Sequence, residues 1–226
     1  MCIIAASFKG DPQPSLDTLR RCFTNNPHGA GYMVAREGRV EISKGYMDWA
    51  SFARAIRYEA FTPDDAVVYH FRISTQAGVN PYMTHPFPLT PDIASTRLLE
   101  LACPIGAAHN GIIRLTTDPT DKTYSDTAHY VSEYLAYLVR DSADLHNDAI
   151  LAAIENTTNS KWALMDGTGY IALIGGFHED GGIWYSNYTY QPVSYKDRGG
   201  VRVYAPPRKL RLTDEWEDFE QDELPI

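Results

Sequence analysis

Apolar residues recur at strand spacing towards both ends of this chain and at helical spacing between them, and that ordering constrains the fold more than any other feature. Residues 2–8 (CIIAASF) read as a short buried strand, and Ala66–Ile73, rich in Val, Tyr and Phe, reads as another. From Lys161 onward the pattern is β again, over Trp162–Met165, Tyr170–Ile174, Gly182–Ser186 and Val201–Ala205. Helical spacing marks Ser15–Thr24, with Leu16, Leu19 and Phe23 on one face and Ser15 as N-cap. Trp49–Tyr58, Asn147–Glu155 and Asp126–Val139 are the other helices, the last with Val131, Tyr134, Leu135 and Leu138 on one face. Glu37-Gly38, between Ala30–Val34 and Val40–Lys44, and Asp166-Gly167 read as hairpin turns. Ile105–Ala108 is a short strand leading into His109-Asn110-Gly111. Strands at both ends with helices between predict an α+β fold. The 226 residues suffice for four layers, two mainly antiparallel sheets flanked by helices in an αββα sandwich. The expected organisation is one domain over 1–205 and an acidic tail over 206–226.

Charge and composition exclude several classes. Twenty Lys and Arg against 29 Asp and Glu leave a formal charge of −9, which does not suit a protein that grips phosphate backbones, so no nucleic-acid partner is expected. Much of that charge is terminal: Asp214, Glu215, Glu217, Asp218, Glu220, Asp222 and Glu223 all follow Arg211, the last basic residue. No apolar run approaches the ~20 residues of a membrane helix, so no membrane partner is expected. The N-terminal apolar stretch ends at Phe8 with no basic segment before it, unlike a signal peptide, and a cytoplasmic location is expected. The three cysteines, Cys2, Cys22 and Cys103, are too few and too scattered for a disulfide framework or a zinc site, and Cys22 and Cys103 read as core thiols. The seven histidines show no metal-ligand spacing and no glycine loop cradles a phosphate, so neither metal nor cofactor is expected.

Cys2 stands apart. Met1 precedes a small residue, and its removal would leave Cys2 first in the chain. An N-terminal cysteine combines a nucleophilic thiol with an α-amine of pKa ~8, able to take the thiol proton near neutrality. The alternative is a cysteine in a buried first strand. Three further segments bear on the choice: His70-Phe71-Arg72-Ile73-Ser74-Thr75, His109-Asn110-Gly111-Ile112-Ile113 and Ser125-Asp126-Thr127. Taken with Cys2-Ile3-Ile4, these four motifs in this chain order resemble the class II glutamine amidotransferases, which are N-terminal-nucleophile (Ntn) hydrolases. They are most similar to the glutaminase domain of glucosamine-6-phosphate synthase, over roughly residues 2–190.

The resemblance implies a fold and a set of roles. Cys2 would attack the side-chain amide of glutamine, forming a thioester and releasing ammonia. The Asn110 carboxamide and the Gly111 N–H would form the oxyanion hole, although Asn110-Gly111 alone also reads as a turn. Arg72 and Thr75 would bind the substrate carboxylate, and Asp126 its ammonium, although Asp126 also suits a helix N-cap. His85, in Thr84-His85-Pro86, matches a family histidine near the substrate, with a loop-structural role as its alternative. Pro27-His28-Gly29-Ala30-Gly31 departs from the family, which carries Arg, Asp and Ser in that stretch, and Arg72–Gly78 is one residue longer than the family's loop.

Three functions follow as expectations. The first is a stand-alone glutaminase with glutamine as substrate, whose ammonia passes to a separate synthase subunit, a homo-oligomer being a further partner arrangement. The length leaves no room for a large synthase domain. The second is an Ntn amidase acting on a different amide. The third is a non-catalytic regulatory module on the same fold.

Overall fold

The computed structural model describes residues 2–74, 77–114 and 123–192, with the backbone of 194–196 and 202–204. The chain divides into two compact units, Met1–Gln191 and Pro192–Ile226. The expected boundary after residue 205, and the acidic tail, lie outside the described residues.

In the first unit, β1 (Ile3–Ser7), β2 (Ala30–Arg36), β3 (Arg39–Tyr46) and β4 (Val67–Phe71) form the middle of a seven-stranded sheet. The second sheet contains β5 (Phe87–Pro88), β7 (Ile105–Asn110), β8 (Lys161–Asp166) and β9 (Ile171–Ile174). The first is completed by β6 (Glu100–Cys103), β10 (His178–Asp180) and β11 (Ile183–Tyr185), in the order β10-β11-β1-β4-β2-β3-β6. The second runs β5-β7-β8-β9, and every pairing in both sheets is antiparallel.

Period-two alternation sorts the side chains into layers. Ile3 and Ala5, Tyr32 and Val34, and Val67, Tyr69 and Phe71 pack against Leu19, Cys22 and Phe23 of α1 (Leu16–Asn25) and Phe52 and Ile56 of α2 (Trp49–Glu59). Their alternates Ile4, Ala6, Met33, Val40, Ile42 and Val68 pack against Ala108, Ala163, Met165 and Ile171 of the second sheet. The far face of that sheet, with Ala107, Trp162, Leu164 and Ile174, meets Ala128, Val131, Leu135 and Ile154 from the remaining helices. The result is an α+β sandwich of two antiparallel sheets with helices on the outer faces. It explains why β1 reads as an unbroken apolar run: both of its faces are covered, so every residue is buried. Fully burying a side chain such as Phe71 or Ile3 stabilises the fold by about 1.5–3 kcal/mol.

Local chemistry sets the helix ends. Ser15 Oγ accepts the Thr18 N–H (3.2 Å) and Asp48 accepts the Ser51 N–H (2.8 Å), capping α1 and α2. The Glu37-Gly38 turn has φ of 50° and 75°, both positive as a two-residue hairpin loop requires. The expected helix over Asp126–Val139 is instead α3 (Asp126–Tyr130), a π-helical turn over Val131–Leu135 and α4 (Ala136–Leu138). The Ala136 N–H reaches back to the Val131 carbonyl, five residues away, which widens the turn and rotates the register. Val131 and Leu135 stay buried, while Tyr134, expected beside them, is half exposed and stacks on Tyr130. α5 (Asp148–Thr158) is capped by Asn147 and ends at Asn159 in the left-handed region. Pairing with β8 continues to Asn110 opposite Lys161, so β7 runs two residues past its expected end. Within the second unit, β12 (Ser194–Lys196) pairs antiparallel with β13 (Arg202–Tyr204).

Candidate active site

The strand that carries Cys2 lies inside the seven-stranded sheet, between β4 and β11. Ile3 sits opposite Phe71, which brings Cys2 beside the chain leaving β4. The Ile73 N–H donates to Cys2 Sγ (3.3 Å) and the Ile73 carbonyl lies 3.5 Å from the same sulfur. On the other side Asn187 Nδ2 donates to the Cys2 carbonyl (2.6 Å). Burial pushes the Cys2 thiol pKa up, and the Ile73 N–H and the Arg72 charge only partly offset it. The resting sulfur is therefore a protonated thiol at neutral pH, and attack by it requires a base.

Arg72 follows β4 by one residue. Its main chain is clasped by the stretch that departs from the family pattern: Arg72 N–H donates to Gly29 O (2.8 Å) and His28 N–H to Arg72 O (3.0 Å). The His28 ring accepts the Ser74 N–H through Nδ1 (2.9 Å). Residues 27–31 thus support the segment bearing the cation. The Arg72 guanidinium donates to Gly78 O (2.8 Å). Burial lowers its pKa, while the Asp126 carboxylate opposes that shift by attraction. Asp126 is the first residue of α3 but not its cap; Ser125 Oγ takes that role by accepting the Ala128 N–H (3.2 Å). The Asp126 carboxylate instead accepts the N–H groups of Ile113 (2.7 Å) and Thr127 (2.9 Å). Burial raises its pKa against those bonds and the Arg72 charge.

Cys2, Arg72, His85, Gly111 and Asp126 line one cleft, joined by His109 and Thr127, which were not expected to contribute side chains to it. A Cβ on Gly111 would overlap Ser160 Oγ and stand 2.7 Å from Ser160 Cβ, so only glycine fits there. Asn110 is buried and its carboxamide contacts Ser186 Oγ (2.9 Å). Thr75 lies outside the described residues. The cleft has an internal volume of about 20 Å³, room for roughly one water. A roomier concavity of about 710 Å³ lies between α2 and the β3–β6 edge, with Tyr32, Tyr46 and Glu59 in its wall, and contains none of these groups.

Behind the cleft three histidines and a lysine are buried together. The carbonyl of His109 faces His70 Nε2 (3.0 Å) and His85 Nδ1 (3.1 Å), and His109 Nδ1 faces Thr127 Oγ1 (2.8 Å). The His85 ring packs against His70 and Phe87, so it both lines the cleft and braces the loop. Lys44 Nζ donates to the carbonyls of Tyr82 (2.9 Å), Thr84 (3.0 Å) and Thr96 (2.5 Å) and lies over the Phe87 ring. Its inward position shares the alternation of Val40 and Ile42, the one signal in the sequence that could have marked it as buried. Among the described residues no group of three or more His, Cys, Asp or Glu is placed to hold a metal ion, and no helix is long and apolar enough to cross a membrane.

Burial pushes His70 and His109 down to about 3, and desolvation with the neighbouring rings and cations pushes His85 well below its usual value. All three are neutral when folded, whereas in the unfolded chain histidine titrates near 6.5. Below that pH the unfolded state binds protons that the folded state refuses. Stability is therefore fully present above pH ~6.5 and falls as pH drops, by up to about 1.4 kcal/mol per pH unit for each histidine. Asp126, with its raised pKa, acts in the opposite sense but is one group against three. The urea midpoint is expected to fall steeply between pH 6.5 and pH 4.5; a flat profile would contradict a neutral buried cluster.

No protein-family model matches the sequence, and the search of curated proteins finds no significant match.

Proposed function

We propose that this chain is a glutaminase of the class II glutamine amidotransferase type, built on an Ntn-hydrolase αββα sandwich with Cys2 as its nucleophile once Met1 is removed. The observation that carries the reading is convergence. Four separate segments, the start of β1, the end of β4, the end of β7 and the start of α3, bring Cys2, Arg72, Gly111 and Asp126 to one cleft. An α-amino acid head group has both charges, and Arg72 and Asp126 supply their counterparts.

In the proposed reaction the α-amine of Cys2 takes the thiol proton as Sγ bonds to the amide carbon of glutamine. Electrons of the C=O bond move to oxygen, and the oxyanion is met by Asn110 Nδ2 and the Gly111 N–H. The tetrahedral intermediate collapses, the C–N bond breaks, and the proton held by the α-amine leaves with ammonia. Water, deprotonated by the same amine, then attacks the thioester, giving glutamate and restoring the thiol. The raised pKa of Cys2 supports a role for that amine, since the thiol does not ionise by itself near neutrality.

The test is ammonia release from glutamine by protein whose mass shows Met1 removed, with other γ-glutamyl amides run beside it. Release from another amide and none from glutamine would favour the broader amidase reading, and no release from any would leave a binding module. Arg72→Ala is expected to raise KM for glutamine ~10–100-fold, the value of a lost charged hydrogen-bond pair, with a smaller change in kcat. An unchanged KM would remove Arg72 from substrate binding.

A further inference from the structure

Ser186 follows β11 and sits where strands from both sheets meet. Its N–H donates to Ile4 O (3.0 Å), its carbonyl accepts Lys161 Nζ, and its Oγ accepts the Ile4 N–H (2.8 Å). Asn110 reaches across from the second sheet to the same Oγ, 2.9 Å from Nδ2. Both side chains are buried. Arranged so, the hydroxyl accepts twice and, among the described residues, its own hydrogen meets no acceptor and the buried Asn110 Oδ1 has no partner.

A hydroxyl offers one donor, and a carboxamide offers two donors and an acceptor. Turning the Asn110 carboxamide by half a turn exchanges its oxygen and nitrogen. The Ser186 hydroxyl then accepts from Ile4 as before and donates to Asn110 Oδ1. The same number of bonds forms and the orphaned acceptor disappears. Both hydrogens of Nδ2 are left as buried donors with nothing to bind, which is the state of an oxyanion hole before its anion forms. If Asn110 is the oxyanion donor, the other orientation would turn a carbonyl oxygen to the developing negative charge and repel it.

We propose that Ser186 is a positioning residue whose hydroxyl, anchored by the Ile4 N–H, donates to Asn110 Oδ1 and keeps Nδ2 free for the oxyanion. This rests on the reading of Asn110 as an oxyanion donor and adds the residue that orients it.

Two measurements test it. Neutron diffraction from deuterated crystals of the wild-type protein is expected to show a deuterium on Ser186 Oγ directed at the carboxamide oxygen of Asn110. A deuterated Asn110 amide pointing at Ser186 would overturn the assignment whatever the enzyme's substrate. In kinetics, Ser186→Ala is expected to lower kcat for glutamine ~10–100-fold with KM within about twofold, and to add little in an Asn110→Ala background. Iodoacetamide alkylation of Cys2, which builds no oxyanion, should change by less than about twofold. Additive losses in the double variant, or slowed alkylation, would mean that Ser186 merely supports the fold. A wild-type protein with no glutaminase activity would refute the functional reading, while the neutron result would still decide the orientation.

Discussion

Cys2→Ala is expected to lower ammonia release from glutamine by at least ~10⁴-fold, the scale seen when a covalent nucleophile is removed. The Sγ is the only thiol in the cleft, since Cys22 and Cys103 are buried in separate cores. What survives is the small acceleration that substrate binding and the oxyanion donors give to attack by water. The thermal midpoint should barely move, because Cys2 precedes β1 and its side chain contributes two weak contacts to Ile73. Activity and melting must be read on the same preparation, with intact-mass spectrometry establishing the fraction lacking Met1. A folded variant that still turns over glutamine would show that the nucleophile lies elsewhere. Wild-type molecules that keep Met1 and are nonetheless active would exclude the α-amine of Cys2 as the base.

Asn110→Ala is expected to lower kcat ~10²–10³-fold with KM little altered, as expected for a donor used only in the transition state. The geometry makes the case specific. Asn110 ends β7, its main chain is fixed opposite Lys161, and its carboxamide is held by Ser186. Alanine keeps the strand and removes only the carboxamide, leaving the Ser186 hydroxyl without one partner. That loss should cost about 1–3 kcal/mol of stability, which can be measured separately by urea unfolding. Full activity in a folded Asn110→Ala protein would overturn the oxyanion role; a rise in KM alone would recast Asn110 as a ground-state contact.

Much of this was legible in the sequence because strands and helix caps leave short-range marks. Ser15, the Glu37-Gly38 turn and the unbroken run of β1 each announce their structure within a few residues. The π-helical turn does not, since Val131–Leu135 has an ordinary helical period and only packing against the second sheet decides which residues face inward. Edge strand β6 was hidden because Glu100–Cys103 is short and alternates weakly. Cys2, Arg72, Gly111 and Asp126 could be singled out by chemistry and motif. His85 could be marked by its motif too, but its packing with His70, His109 and Lys44 could not, since these come from three strands and nothing local says that they share a space with the loop. Ser186 and Asn187 were equally silent, because the contacts that matter here, to Asn110 and to the Cys2 carbonyl, span more than seventy positions.

The position of β1 has a consequence for the life of the chain before it is whole. The strand behind Cys2 is the earliest of the sheet to be synthesised, yet one of its two neighbours is β11 and the clasp on the Cys2 carbonyl is Asn187. A nascent or truncated chain that stops short of residue 183 can pair β1 with β4 but leaves its other edge open. Closing a loop of that span is slow compared with forming local hairpins. Cys2 therefore precedes every strand of its sheet in synthesis, yet the strand behind it is flanked on both sides only once β11 has been made, so a chain that stops earlier carries the cysteine without the surroundings described above.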